Sequence, residues 1–233
     1  MQVCLRLPDT GHRAGTSCIV MVTTFPNHFF RLPAWLSGLT RPMELRIDVG
    51  QRPAKPLEGE FESIYDRIHT PGDRLHGIPA IELNDTELVI RYREADGEFY
   101  VYVEDIKRRR LAGYTVFNRL IELDRRADRH VRAPHSKYDE PYQRRGLASA
   151  VYQWGLDAGL CLISGARQSP GAHALWHSLA RHYPLGHVDL RDKKLRYLGR
   201  DVPPPVLEDL HTRMLLLGSG WTVDRFSAAT GMR

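Results

Sequence analysis

The stretch from residue 142 to residue 148 reads Tyr-Gln-Arg-Arg-Gly-Leu-Ala. It follows segments with the two-residue period of strands and opens a segment with the period of an amphipathic helix. A loop with Gly at its turn, placed at the start of a helix, points successive backbone N–H groups outward. These donors, the positive end of the helix dipole and the charges of Arg144 and Arg145 together predict an anion site that suits a pyrophosphate.

The segment after this loop is predicted to be a helix over 147–158. Its apolar residues recur every three or four positions, and Gly159 stands where a C-terminal cap is expected. A short buried strand over 160–164 and a second helix follow. Ser169 is the predicted N-cap of that second helix, and Pro170 is its first residue.

Upstream of the loop, the chain is predicted to form an antiparallel meander of strands rich in β-branched and aromatic residues. The predicted strands are 86–93, 98–104, 110–123 and 130–138. The turn Ala95-Asp96-Gly97 joins the first two as a hairpin. Pro134 lies inside the last strand and indicates a bulge or a local loss of pairing there.

The two ends of the chain are less regular than its middle. Residues 1–57 carry many Gly, Pro and Thr breaks and are predicted to be an irregular N-terminal extension. Residues 58–200 are the predicted core domain, which closes with a charged hairpin of two strands at 187–190 and 195–198. Residues 201–233 are predicted to be a C-terminal helix, over 205–217, and a tail with little order beyond Trp221.

Composition bounds the class of protein. The chain has 233 residues, of which 42% are hydrophobic and 26% charged, and this excludes collagen-like, low-complexity and acidic disordered classes. No apolar run approaches the roughly 20 residues that span a bilayer. The three cysteines lack metal-ligand spacing and are typical of reduced thiols in a cytoplasmic protein. They are Cys4, Cys18 and Cys161.

Histidines also give no metal prediction. His173 and His177 stand four residues apart on the second helix and could form half of a metal site. Because no carboxylate is near them in sequence, a solvated helix face is the favoured interpretation.

Positive charge is concentrated in one segment. The formal net charge is +5, and residues 106–132 alone contain nine basic residues against three acidic ones. Such a block is either a solvated basic face or the binding surface for a polyanion such as nucleic acid.

Gln143-Arg144-Arg145-Gly146-Leu147-Ala148 resembles the acyl-CoA pyrophosphate loop of the GNAT superfamily of N-acetyltransferases. The preceding Pro141-Tyr142 is similar to the proline and aromatic residue often found just ahead of that loop. The downstream order of helix, strand, helix and hairpin also resembles that fold. The segment 168–176, Gln-Ser-Pro-Gly-Ala-His-Ala-Leu-Trp, further resembles a phage-encoded branch of these enzymes. The resemblance covers about residues 86–199.

This resemblance implies an α/β acyl-CoA N-acyltransferase fold, with a mixed, mainly antiparallel sheet flanked by helices. It places a cofactor cleft between the predicted strands 130–138 and 160–164. The implied reaction is direct transfer of an acetyl group from acetyl-CoA to a small-molecule or protein amine. The residues that the resemblance assigns to cofactor binding are Ser136, Tyr138, Gln143, Arg144, Arg145, Gly146, Leu147, Ala148 and Ser169.

The catalytic acid and base stay open. Many members of the superfamily carry a tyrosine acid in the second helix, but this chain has Trp176, whose indole has no proton to give at neutral pH. Tyr183 or a water could take that role, or the thiolate could leave unaided. His135 is chemically suited to act as the base, and Glu104 and Glu122 compete with it.

Two other functions remain open. The chain could be a nucleic-acid-binding or base-modifying protein on the same scaffold, with residues 106–132 as its footprint. It could also be a catalytically inactive binding module, since the usual tyrosine acid is missing.

Overall fold

The computed structural model describes residues 57–82 and 87–233. These residues contain a nine-stranded sheet with the order β1-β2-β3-β4-β5-β6-β9-β7-β8. The strands are β1 (Ala80–Glu82), β2 (Leu88–Ala95), β3 (Glu98–Asp105), β4 (Arg110–Asn118), β5 (Val131–Tyr138), β6 (Cys161–Ile163), β7 (Leu185–Arg191), β8 (Lys194–Gly199) and β9 (Thr212–Leu216). The helices are α1 (Leu57–His69), α2 (Arg125–Asp128), α3 (Leu147–Asp157), α4 (Pro170–Leu179), α5 (Pro204–Leu207) and α6 (Val223–Thr230).

The sheet is mixed and mainly antiparallel. Only β5 and β6 pair in parallel among the described strands, and every other neighbouring pair is antiparallel. Helices lie on both faces: Tyr152 of α3 and Trp176 of α4 belong to one core cluster with Phe117, while Phe61 of α1 packs edge-on against Tyr114. The predicted fold class is therefore confirmed.

The predicted meander is confirmed, with one correction at its third strand. Asp96 and Gly97 both have positive φ, at 55° and 78°, as a tight hairpin turn requires. The third strand ends at Asn118 and not at residue 123. Leu120 turns away because its N–H donates to Asp128 Oδ1 at 2.8 Å, and its side chain packs into the core beneath β6, β7 and β9.

Strand β5 has a full partner on one side and a partial partner on the other. Along β4 it pairs without interruption, and Pro134 lies opposite Phe117 in regular register. Along β6 the ladder consists of Val131 with Cys161 and Arg132 with Leu162. The predicted loss of pairing at the proline thus occurs on the β6 side, and no bulge forms against β4. Beyond Arg132, no ladder pair joins the two parallel strands in the described ranges.

The C-terminal segment differs from its prediction. Residues 205–217 do not form one helix, because α5 ends at Leu207 and the chain then enters the sheet as β9, between β6 and β7. Leu215 and Leu216 of β9 are buried.

Order also continues beyond Trp221, where a tail was predicted. Thr222 caps α6 by accepting from the N–H of Arg225 at 3.2 Å. Phe226 of this helix is completely buried. Residues 201–233 therefore supply both a strand of the sheet and a helix that covers it.

The predicted N-terminal extension falls almost entirely on residues 1–56. These residues, which include Cys4 and Cys18, lie outside the described ranges. Cys161 is buried on β6, and burial raises the pKa of its thiol to about 12. In the described part of the chain, no helix combines the length and apolar character needed to cross a membrane. Likewise, no three His, Cys, Asp or Glu side chains are grouped there as a metal would require.

Candidate functional site

The N-terminus of α3 differs from those of α2, α4 and α6. Asp124, Ser169 and Thr222 cap those three helices by accepting hydrogen bonds from first-turn N–H groups. Helix α3 has Gly146 at this position, so no side chain caps it. Within the described ranges its first turn therefore lacks a side-chain cap, which is compatible with the anion site that the sequence predicts.

Gly146 at the turn of the loop before α3 has a conformation that favours glycine. It adopts φ 80°, and a Cβ built on it would meet no atom of the described residues within 4 Å. The backbone conformation therefore favours glycine, and the described part of the chain leaves space over the loop. Arg144 has φ 59°, and both it and Arg145 are exposed beside this space. Gln143 ties the loop to the end of β5, since its Nε2 donates to the carbonyl of Tyr138 at 2.9 Å.

Tyr142 fixes the loop onto the turn between β3 and β4. Its side chain is 1% exposed, and its hydroxyl donates to Asp105 Oδ2 at 2.6 Å. The backbone N–H of Arg108 donates to the other carboxylate oxygen at 2.8 Å. Burial acts to raise the pKa of Asp105, but these hydrogen bonds outweigh it and hold that pKa below its ordinary value. The sequence shows no sign of this contact, because Asp105 and Tyr142 are 37 residues apart.

Guanidinium groups surround the same tyrosine ring. Three of them lie 5.5 to 5.8 Å from its centroid, and they come from both sides of the contact. They belong to Arg108, Arg110 and Arg145. Part of the basic segment 106–132 thus adds positive charge beside the uncapped helix.

The rest of that basic segment lies elsewhere. Strand β4 separates residues 106–110 from Arg119 by about 27 Å of extended chain. Arg119 Nε donates to Asp128 Oδ2 at 2.8 Å, and Arg132 is buried over the ring of Phe99. Residues 106–132 are therefore divided between the two ends of a strand and do not form one continuous basic face.

Ser136 and Tyr138 lie on the part of β5 that pairs with β4 and has no ladder pair with β6. The Oγ of Ser136 lies 2.8 Å from Thr115 Oγ1 and donates to the hydroxyl of Tyr152 at 3.3 Å. The hydroxyl of Tyr138 lies 3.2 Å from the same threonine oxygen. These side chains are engaged beneath α3. The contact that the resemblance implies is made by main chain, and beyond Arg132 the β5 edge facing away from β4 has no strand beside it in the described ranges.

His135 lies on the opposite face of the sheet, toward α1. Burial, with a smaller contribution from Lys137, lowers the pKa of His135 below 6.5, and Glu60 opposes this. Glu60 of α1 accepts from Tyr114 at 2.6 Å and from Lys137 Nζ at 2.9 Å. The imidazole is consequently neutral near pH 7, beside a carboxylate that the sequence did not single out.

The two glutamates proposed as competing bases have different surroundings. Glu104 is 2% exposed, and it accepts from Arg91 Nε at 2.6 Å and contacts His69 Nε2 at 2.8 Å. Both of its oxygens are thereby engaged. Glu122 is exposed and lies 3.9 Å from a guanidinium nitrogen of Arg213. Neither contacts His135.

Tyr183 lies at the opposite end of α3 from the loop, and Trp176 is a core residue. The phenol of Tyr183 donates to Asp157 Oδ1 at 2.7 Å, at the last residue of α3. That end is about 16 Å along the helix axis from Gly146. Burial and this hydrogen bond raise the pKa of Tyr183 above its ordinary value. Trp176 is 3% exposed and belongs to the core.

Ser169 caps α4 as predicted, by accepting from the N–H of Ala172 at 3.2 Å. Pro170 is the first residue of the helix. Ser169 is exposed, so its hydroxyl serves the helix at the protein surface.

Sequence comparison yields no family model and no curated protein that matches this chain. Solved structures of acetyltransferases match about half of it. Ribosomal-protein-S5-alanine acetyltransferase from Vibrio fischeri aligns with 12% identity and a TM-score of 0.30, over 54% of this chain and 64% of that one. A GNAT superfamily phosphinothricin acetyltransferase from Sinorhizobium meliloti, in complex with AcCoA, aligns with 16% identity and a TM-score of 0.34, over 54% and 65%.

Proposed function

We propose that this chain is an acetyl-CoA-dependent N-acetyltransferase of the GNAT type. The observation that carries the proposal is the junction of β5 and α3. Among the described strands, β5 has no parallel pairing with β6 beyond Arg132. It then leads into α3, whose N-terminus has no side-chain cap in the described ranges. Coenzyme A has a diphosphate, which suits the helix end, and an arm with two amides, which suits a free strand edge.

The residues that would hold the donor follow from this junction. The backbone N–H groups from Leu147 to Ser149 would bind the diphosphate, with Arg144 and Arg145 beside them. The edge of β5 over 133–138 would pair with the amides of the pantetheine arm. When bound, acetyl-CoA supplies an activated thioester carbonyl.

His135 is the residue we propose as general base. An amine acceptor is mostly protonated at neutral pH, so it must lose a proton before it can attack a carbonyl. The lowered pKa of His135 keeps its imidazole neutral and able to accept that proton. Its place on the α1 face means that the acceptor would approach from that side of the sheet.

Within the described ranges, direct transfer is favoured over a covalent intermediate on cysteine. Cys161 is buried, and a thiol with a pKa near 12 supplies almost no thiolate at neutral pH. No acid is assigned to the protein, since Trp176 is a buried indole and the Tyr183 phenol is held by Asp157.

Thiol release from acetyl-CoA tests the proposal. The full chain would be incubated with acetyl-CoA and pools of small amines, amino acids, peptides with free N-termini and nucleic acids. We expect free thiol to form faster with at least one amine pool than with none. Binding of CoA with no turnover in any pool would instead support an inactive binding module, and absence of CoA binding would overturn the proposal.

A further inference from the structure

We propose that the turn between β3 and β4 binds the ribose 3′-phosphate of coenzyme A, with Arg108 as the residue that contacts it. This inference rests on the proposed function, because it assigns a second part of the same ligand. It extends the anion site from the helix terminus to side chains of a different element.

The first support is an excess of cations over what a diphosphate needs. The α3 terminus already offers backbone N–H groups, a helix dipole and two flanking arginines. The turn between β3 and β4 brings two more guanidiniums to the ring of Tyr142, each 5.8 Å from its centroid. Coenzyme A carries a further phosphate on its ribose, with close to two negative charges at neutral pH, which such groups can bind.

The second support is the state of the carboxylate beneath them. Asp105 is 3% exposed, and its two oxygens accept from the Tyr142 hydroxyl and from the backbone N–H of Arg108. An incoming phosphate would therefore meet the guanidiniums, because the acidic group lies below the surface and is already hydrogen-bonded.

Arg108 is better placed than its neighbours for an external ligand. Arg110 forms an ion pair with Asp139, and its guanidinium is thereby engaged. The side chain of Arg108 is 58% exposed, and its polar contacts with the described residues are long, at 3.5 Å to the Tyr142 hydroxyl and 3.9 Å to Asp105 Oδ2. Its backbone is meanwhile fixed by the hydrogen bond to Asp105.

The test compares coenzyme A with 3′-dephospho-CoA by calorimetric titration of the full chain. We expect the wild type to bind coenzyme A about tenfold more tightly, the usual effect of one lost charge-assisted hydrogen bond. The Arg108→Gln variant should lose this preference and keep its affinity for dephospho-CoA. Arg109→Gln is the matched control: it removes the same charge from the same turn, but the Arg109 charge is felt by Tyr65 of α1, where it opposes the rise in the pKa of that phenol that burial causes.

Each outcome of these titrations tests a different part of the proposal. Equal affinity of the wild type for both compounds would overturn the 3′-phosphate site and leave the proposed function standing. A preference that survives in Arg108→Gln would overturn the role of Arg108. No binding of either compound would overturn the proposed function together with this inference.

Discussion

Two physical requirements favour glycine at residue 146. Its φ of 80° is costly for any residue that has a side chain, and the proposed ligand must come close to the backbone at this position. A side chain here would stand over the first turn of α3, in the space that a diphosphate would occupy. An acidic side chain would block this space and would also repel the negatively charged diphosphate.

We expect Gly146→Glu to abolish binding of coenzyme A, as measured by calorimetry. Gly77→Glu is the matched control, since Gly77 has φ 72°, is exposed and also has no atom within 4 Å of a built Cβ. Both variants place the same charge on the same backbone conformation. If Gly146→Glu bound coenzyme A as the wild type does, the anion site would lie elsewhere.

His135 should control the acidic limb of the pH profile. The neutral form is the active base, so turnover should rise with pH through a pKa below 6.5 and be level near pH 7. We expect His135→Gln to lower kcat about a hundredfold and to remove this limb. His182→Gln, at an exposed site near the end of α3, should leave both unchanged. An unchanged limb in His135→Gln would assign the base to another group.

For helices, strands and turns, the sequence pattern predicts those elements that are determined by contacts between residues close in sequence. The period of the helix from Leu147, the turn at Asp96-Gly97 and the cap at Ser169 are all set by residues close in sequence, and all are confirmed. The prediction of a helix over 205–217 is wrong at β9, because the apolar run Met214–Leu217, most of which lies in that strand, has no distinctive period. Its partners, Leu162 and Gly186, lie far away along the chain.

In the candidate site, too, contacts between residues far apart in sequence could not be predicted. The turn at Gly146 before α3 and the existence of strand β5 could be predicted, because each depends on a contiguous segment. The anchor between Tyr142 and Asp105 and the position of Glu60 beside Lys137 could not, because each joins elements far apart in sequence.

The central position of β9 makes it important for stability. Leu216 is completely buried between β6 and β7, so Leu216→Ala should lower the free energy of unfolding by about 2 to 5 kcal/mol. The same substitution at Leu207 of α5, which is 46% exposed, should cost about 0.5 kcal/mol or less. Denaturant unfolding of both variants checks this. Equal small losses would contradict the place of β9 within the sheet.

The chain carries a net charge of +5, and in the part that the structure describes the basic block 106–132 does not form one surface. Residues 106–110 lie beside the loop before α3, whereas Arg119 and Arg132 are engaged at the far end of β4. A polyanion would therefore find separated clusters of charge rather than a track.

We expect no measurable binding of duplex DNA at about 0.15 M salt, where weak phosphate contacts are screened. Fluorescence anisotropy with labelled DNA, repeated at lower salt, measures this. Tight binding at 0.15 M with a steep dependence on salt would instead support residues 106–132 as a nucleic-acid footprint.

A crystal structure of the full chain with coenzyme A tests most directly the claim that the junction of β5 and α3 binds this cofactor. We predict the diphosphate at the N–H groups of Leu147 to Ser149 and the pantetheine arm along β5, between that strand and β6. Coenzyme A bound at any other place, or a protein that takes up none at saturating concentration, would contradict the claim.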